Sequence, residues 1–516
     1  MNQTGVGAFA AAAREQLAAT RSGMILAATP PLPEGVALLW PVYLVLGCVA
    51  AVAAFLFAGI ETVSLTIAAL IALWAFIDPR TTLWLSTAFM IFLFVFFQTT
   101  APLGEEVPEE FFYWGVGVAL IAAGLAAATI FSSQAGSAVA RQRLGAPASL
   151  AMFGMTLVIC AASVYGLWAG NQFFAVARQL FGCLLLPVYF YLSILIFRAP
   201  SDVDHWLRRV SWVVALGSAW YVLRLSQMSL ARGAYYREQS PLTAYAGAIA
   251  VIAWVHLFEF RRISQWFQAL VQCVSCIVAA LLMGSRTTLG SSLAAIAVLT
   301  IMMIWRRHVL SLTLAVIVLS IGMGIAPYVM TRLVESRGLV GDITDRFIFV
   351  LSEDHSYQGR LAQTEVVMNM VEKRPVLGAG MGSENVFILP GEQRRVKVAS
   401  VDNGWGYLLL KMGYLGLAIF LTLVGLLLKR GFSGLTGVRN APLRTSRLAV
   451  LGVFLYALIS FLGGPIFFHF SVAPFFATAM GALVVLGEAR EPAANAPATR
   501  RDASQEQKER AVPCSS

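Results

Sequence analysis

Apolar runs of helix length follow one another along most of the chain, separated by short polar joints. Candidate spans fall at about 36–60, 62–78, 82–98, 112–132, 149–169, 179–197, 207–226, 241–260, 263–283, 287–305, 309–330, 404–428, 448–468 and 470–487. Each approaches the ~20 residues that carry an α-helix across a ~30 Å hydrocarbon core. Only helices and closed barrels pair all their backbone groups there, and runs of this length indicate helices. The alternation is interrupted at length only once, by the polar stretch 331–403. Within it Asp342 to Phe349 and Arg360 to Lys373 read as helices, the second ending at Arg374-Pro375 because proline disfavours a helical residue before it. The pattern predicts an all-α polytopic membrane protein: about fourteen transmembrane helices and one large loop that contains helices.

In domain terms this gives a tail at 1–35, a bundle of about eleven spans at 36–330, the loop at 331–403, about three further spans at 404–487, and a tail at 488–516. The first tail ends in Pro30-Pro31-Leu32-Pro33 and has no apolar core leading into a small-residue cleavage site, so it reads as a cytoplasmic tail and not as a signal peptide. The last is rich in Ala, Pro, Arg, Gln and Ser without apolar periodicity, which predicts disorder.

Composition agrees with the pattern. Of 516 residues 58% are hydrophobic and 12% charged, against roughly a quarter charged in soluble domains. A net charge of +10 would suit a nucleic-acid partner, but the basic residues concentrate in joints beside apolar runs, the signature of topology. With the N-terminus inside, one alternation puts Arg141/Arg143, Arg198/Arg208/Arg209, Arg261/Arg262, Arg306/Arg307, Lys429/Arg430 and Arg439/Arg444/Arg447 on the cytoplasmic side, and both termini with them. The acidic joint Glu105 to Glu110 and the long loop fall on the other side. Cys48, Cys160, Cys183, Cys273 and Cys276 lie in apolar runs and read as small buried hydrophobes, so Cys273-x-x-Cys276 is a poor zinc or redox motif.

Candidate chemistry comes from the arginines that break the inside rule. Arg178, Arg224, Arg232, Arg237 and Arg286 fall at or near the outer ends of predicted helices. Arg286 sits in the nearly loopless turn Met283-Gly284-Ser285-Arg286-Thr287-Thr288, close to the hydrocarbon boundary, where ionisable groups usually face a cavity or partner. Guanidinium forks suit phosphate or pyrophosphate because they bond bidentately and stay protonated when partly desolvated. The bland alternative is an arginine snorkelling to headgroups. His355 is the one histidine placed in the loop, and Asp402 and Asn403 stand where the loop re-enters the membrane, as helix cap, substrate contact or both. The stretch Leu377-Gly378-Ala379-Gly380-Met381-Gly382-Ser383 has the glycine spacing of a dinucleotide loop but follows a helix instead of a strand, so it reads as a flexible turn beside the membrane. No spacing of His, Cys or acidic residues resembles a metal site, and no Walker loop or Ser-His-Asp elbow is present in the sequence.

Four pieces, in this order, resemble the family of O-antigen ligases and Wzy-type polysaccharide polymerases. They are Ala175-Val176-Ala177-Arg178; Gly284-Ser285-Arg286-Thr287-Thr288-Leu289; Gly359-Arg360 with Arg374-Pro375-Val376-Leu377-Gly378-Ala379-Gly380; and Asp402-Asn403 followed by Leu408, Gly413, Leu415 and Gly416. The resemblance implies a GT-C-like bundle in a bacterial inner membrane and a metal-independent, inverting glycosyltransferase needing no cofactor. Its substrate would be an undecaprenyl-pyrophosphate-linked glycan, its loop periplasmic, and its pathway partners a flippase and a chain-length regulator. It assigns Arg178 and Arg286, with Arg224 and Arg237, to pyrophosphate or sugar, Arg360 to the same contacts, and Asp402 and Asn403 to the acceptor hydroxyl. The family pattern has His-Asn where this chain has Asp402-Asn403, which favours a polymerase over a ligase and leaves His355 as an alternative base. Competing readings are a transporter or flippase of lipid-linked sugar and a non-catalytic assembly subunit, but ionisable residues gather at helix ends and in one loop, not at broken helices near the bilayer centre.

Overall fold

The computed structural model describes residues 60–100, 110–131, 138–232, 242–258, 263–282, 286–304, 355–388, 395–398, 401, 403–433, 435 and 441–488. The chain forms two compact units, 1–70 and 71–516, and the bundle described below belongs to the second. The helices are α1 (Ile60–Trp74), α2 (Pro79–Thr100), α3 (Glu110–Phe131), the short α4 (Ala138–Leu144), α5 (Pro147–Trp168), α6 (Phe173–Ile196), α7 (Pro200–Arg232), α8 (Leu242–Phe258), α9 (Ile263–Leu282) and α10 (Arg286–Ile304). After them come α11 (His355–Lys373), the strands β1 (Asn385–Ile388) and β2 (Arg395–Val398), α12 (Gly404–Ser433), α13 (Ala441–Ser460) and α14 (Ala473–Glu488). Twelve of the helices follow the predicted spans, α4 and α11 do not, and the predicted spans 36–60 and 309–330 and the predicted helix 342–349 lie wholly or almost wholly outside the described residues.

Five of these segments are long and apolar enough to cross a membrane: Pro147–Trp168, Phe173–Ile196, Ile263–Leu281, Gly404–Ser433 and Pro442–Gly463. The protein is therefore a multi-pass helical membrane protein. Its surface says the same. On α5 the exposed residues include Leu150, Phe153, Leu157, Val164 and Trp168, a stripe at three- and four-residue spacing that water would not solvate. Cys160 lies exposed on α5, not buried as its apolar run suggested, because lipid can solvate a thiol that water-soluble proteins would hide.

Two helices of the bundle are covered on every side. α14 is buried continuously from Ala473 to Leu486, and α8 nearly so from Leu242 to Phe258. Protein neighbours, not lipid, cover both of them. α14 packs against α6 and α13, and α8 against α9, α13, α10 and α7. Close approach of α6 and α14 depends on Gly481, where a methyl group would collide with the Ser193 hydroxyl and the Phe190 carbonyl.

At the end of the bundle that carries the arginine-rich joints, several of the basic residues have structural work. Arg143, only 7% exposed, donates to the carbonyls of Ile194, Phe197 and Arg198, where α6 runs out of internal partners, and pairs with Glu488 at 3.1 Å. Arg447 is 4% exposed and donates to the Leu486 carbonyl, while Arg430 reaches the Val484 carbonyl and Glu488. Cations on helix C-terminal carbonyls also oppose the macrodipole favourably.

Three expectations are corrected. The loop is not wholly helical: β1 and β2 pair antiparallel, Asn385 opposite Val398 and Ile388 opposite Arg395. The apolar run predicted to reach 468 leaves helix at Ser460, since Gly463-Gly464-Pro465 cannot sustain it, and 461–472 is a connector of successive turns. Most consequentially, 404–428 is not one straight span. α12 breaks at Gly413, which has φ 63° and ψ −162°. In a continuous helix Trp405 and Phe420 would stand about 22 Å apart, yet their rings lie 5.8 Å centroid to centroid. The chain therefore reverses. A re-entrant arm, 404–412, of about 14 Å folds back along a second arm, 414–433, of about 30 Å, the length of a full crossing.

Replacing Arg143 with alanine should lower stability in detergent by about 3 kcal/mol, because Glu488 and three carbonyls lose a buried partner together. Arg141→Ala, on the exposed face of the same short helix, should change it by less than about 0.5 kcal/mol. Equal midpoints for the two variants in thermal or denaturant unfolding would refute this account of the joint.

Candidate functional site at the re-entrant arm

The glycine-rich stretch after α11 is no flexible turn. Gly378 through Ser383 are all buried, wedged between the far end of α5, the first turns of α6 and the break in α12. Each glycine has a reason to be glycine. Gly378, Gly380 and Gly382 have φ of 64°, 80° and 77°, and side chains there would strike the Leu410 carbonyl, the Gly166 backbone and Val176 respectively. The break and the turn repair one another. Ordinarily Tyr414 would donate to Leu410, four residues back; here Tyr414 N donates to the Pro375 carbonyl at 2.8 Å, and the freed Leu410 carbonyl accepts from Ala379 N at 2.6 Å. Leu415 N donates to Val376 O at 3.3 Å, and Met381 N to Ala162 O at 3.0 Å.

Side chains complete the wedge. Asn171 Nδ2 donates to the Met381 carbonyl at 2.8 Å and the Ala379 carbonyl at 3.3 Å, and Gln179 Oε1 accepts from Gly382 N at 2.7 Å. Lys411, on the re-entrant arm, is 0% exposed; its ammonium donates to the Ser383 carbonyl and to Ser383 Oγ, and lies 5.8 Å from the Tyr407 ring. The Tyr407 hydroxyl in turn contacts Cys183 Sγ at 3.8 Å.

The start of the re-entrant arm lies well below the wedge. Asn403 caps it: Asn403 Oδ1 accepts from Trp405 N at 3.0 Å, and the Asn403 carbonyl from Tyr407 N. Gly404 N donates to the Phe461 carbonyl at 2.8 Å, which fixes the arm's N-terminus to the connector 461–472. This connector touches everything else of interest. A methyl on Gly463 would collide with Thr287, so the start of α10, and Arg286 with it, stands beside Gly463. Phe468 stacks on Tyr407 at 5.9 Å, and the backbone of Phe468 and Phe470 lies against Gly182 of α6. Arg178 is one helical turn from Gly182 on the same face of α6, is exposed, and lies within electrostatic reach of Tyr407. Among the described residues it makes no hydrogen bond or ion pair.

The sequence was compared with known families against this geometry. Residues 271–421 match the family model Wzy_C, O-Antigen ligase. A search of curated proteins returns no match. The matched stretch takes in α9 from its middle, α10, α11, the glycine wedge, both strands and the whole reversal of α12, whereas Arg178 and the connector 461–472 lie outside it.

Of the residues singled out in the sequence, the structure brings Arg178, Asn403 and the backbone of Arg286 to the connector. The side chains of Arg224, Arg286, His355 and Arg360 lie outside the described residues, as do Arg237 and Asp402 entirely. Arg224 belongs to α7, which packs on α2, α8 and α9. Arg360 and His355 are on α11, whose docked end carries buried Val367 and Val371; they stand about 16 and 24 Å along the axis from Val371. Lys411 was missed, although a lone cation in an apolar run is the signal that drew attention to Arg286.

Lys411→Met keeps the volume and removes the donors, leaving Ser383 and the wedge unpinned. Amide hydrogens of Ala379, Met381 and Gly382 should then exchange at least about tenfold faster. Exchange at the wild-type rate would show that the ammonium does not hold the wedge.

Proposed function

We propose that the protein is a membrane glycosyltransferase that joins oligosaccharide repeat units carried on undecaprenyl pyrophosphate, a polymerase acting on the periplasmic face of a bacterial inner membrane with both termini in the cytoplasm. The observation that carries this reading is the gathering, around the connector 461–472, of an exposed arginine unpaired among the described residues, the start of the helix that Arg286 opens, and the capped N-terminus of a re-entrant helix arm. All three present positive charge or a helix N-terminus toward the connector, and a pyrophosphate is the anion that the pathway would bring there.

Transfer would proceed as a single displacement. The acceptor hydroxyl oxygen attacks the anomeric carbon, the bond from that carbon to the pyrophosphate oxygen breaks, and undecaprenyl pyrophosphate departs with the electron pair, so the anomeric configuration inverts. Asp402 takes the hydroxyl proton. Arg178 and Arg286 neutralise the charge that grows on the leaving group, which needs neither nucleotide nor cation when guanidinium groups are preorganised in a low-dielectric site. Arg360, with Arg224 and Arg237, would contact sugar or pyrophosphate further out, and His355 is the alternative base. Asn403 spends its side-chain oxygen on the helix cap, so its part is to hold the arm. A flippase and a chain-length regulator are the expected pathway partners. Asp402 in place of histidine supports polymerase over ligase.

Purified protein incubated with lipid-linked repeat units should lengthen the glycan, whereas movement of the unit across proteoliposomes without lengthening would make it a transporter. Arg178→Ala and Arg286→Ala should each cut elongation at least about a hundredfold while the protein remains in the membrane. Arg141→Ala, at the other end of the bundle, should leave it unchanged. Unaltered polymer length in either of the first two removes that arginine from the site.

A further inference from the structure

One exposed side chain at the connector has no role in the scheme above. His469 sits between Phe468, which stacks on Tyr407, and Phe470, whose ring stacks on its own at 5.0 Å. Its position is fixed from three directions. The His469 carbonyl accepts from Val472 N at 3.1 Å and Ala473 N at 2.9 Å, closing the first turn of α14. The backbone on either side of it lies against Gly182, one turn along α6 from Arg178. Its ring nitrogen Nδ1 is engaged by Ser471, through Oγ and through Ser471 N at 3.4 Å. Ser471 is itself buried, with its carbonyl accepting from the Tyr245 hydroxyl.

These bonds assign the tautomer. A backbone N–H can only donate, so Nδ1 must offer Ser471 N a lone pair, and the neutral ring carries its hydrogen on Nε2. The residue is exposed and its Nε2–H has no acceptor among the described residues, at the connector that also meets the start of α10, the re-entrant arm and α6. A donor held this way suits an acceptor-rich anion and does not suit proton abstraction, since Nε2 already bears its proton.

We propose that His469 is a substrate-binding residue that donates from Nε2 to a phosphate oxygen of the lipid pyrophosphate, the same headgroup that Arg178, one turn of α6 from the Gly182 contact, would neutralise. The inference rests on the proposed glycosyltransferase reading and extends the site beyond residues 271–421.

The test titrates undecaprenyl pyrophosphate, the leaving group itself, into purified full-length protein in detergent and reads the dissociation constant, with thermal unfolding as a control. His469→Phe keeps the ring stacked on Phe470 and drops both nitrogens; it should weaken binding about tenfold or more. His469→Gln restores an N–H near the Nε2 position and should stay within about threefold of wild type. Arg178→Ala is the reference arm and should also weaken binding. Wild-type affinity in His469→Phe together with weak binding in Arg178→Ala overturns the role of His469 and leaves the glycosyltransferase reading standing. Wild-type affinity in both removes the pyrophosphate site from this part of the bundle altogether. Equal losses in His469→Phe and His469→Gln, with unfolding temperatures unchanged, also overturn the proposal, because a donor at Nε2 would then not be what the ligand reads.

Discussion

A backbone amide or carbonyl stranded in hydrocarbon costs several kcal/mol, so a helix that breaks inside a membrane protein must find partners for every group the break releases. The reversal at Gly413 meets this constraint by exchange. Tyr414 N and Leu410 O, which a continuous helix would have bonded to each other, are bonded instead to Pro375 and Ala379 of the glycine wedge. Neither part is stable alone: the wedge without the break has no carbonyl for Ala379, and the break without the wedge leaves Tyr414 and Leu415 without acceptors. Buried Lys411, bonded to Ser383, ties the two arms of this exchange together from the side.

The two ends of the bundle use the same residue type in opposite ways. At the basic end Arg143 distributes its donors over three carbonyls and Glu488, and Arg447 and Arg430 likewise end on the carbonyls of α14. Those guanidinium groups are consumed by the fold. At the far end Arg178 is exposed and free of such bonds among the described residues. A cation that the fold does not need, placed beside a buried tyrosine and a capped helix N-terminus, is available for an external anion. The positive-inside bias alone could not have separated these cases, since it concerns where arginines are retained and not what they bond.

Much of the helical framework was legible because hydrophobic periodicity and length fix a membrane helix almost without reference to its neighbours; α9, expected at 263–283, runs from Ile263 to Leu282. Arg178 stood out as an exception to a strong rule, and the structure leaves it exposed. The reversal at Gly413 was not, because a single glycine is tolerated within an apolar run and only the partners at Pro375, Val376 and Ala379, far away in sequence, decide whether the helix continues. The same holds for the wedge, whose three positive-φ glycines look like mobility in sequence and are tight packing in space. Lys411 was readable in principle from its isolation among leucines. The connector 461–472 was not, since a stretch of turns has no period, and its importance comes from touching the start of α10, the start of α12 and the middle of α6 at once.

The reversal also decides what sort of site this is. A straight α12 would have put its N-terminus at the membrane surface, in water, where a helix end is worth a few tenths of a kcal/mol to an anion. Folding the arm back sets that N-terminus about 14 Å below the break, at the level of Phe420 and Phe461, whose rings contact Trp405. There the partial charge of the helix end is screened by protein and lipid instead of by solvent, and its field on a bound phosphate rises accordingly. Asn403 satisfies one of the arm's orphan amides and the Phe461 carbonyl another, so the arm can stay at that depth before any ligand arrives. A half-helix held ready in this way would offer an anion its stabilisation without reorganising, and that preorganisation, more than any single side chain, is what would suit the far end of this bundle to the proposed pyrophosphate leaving group.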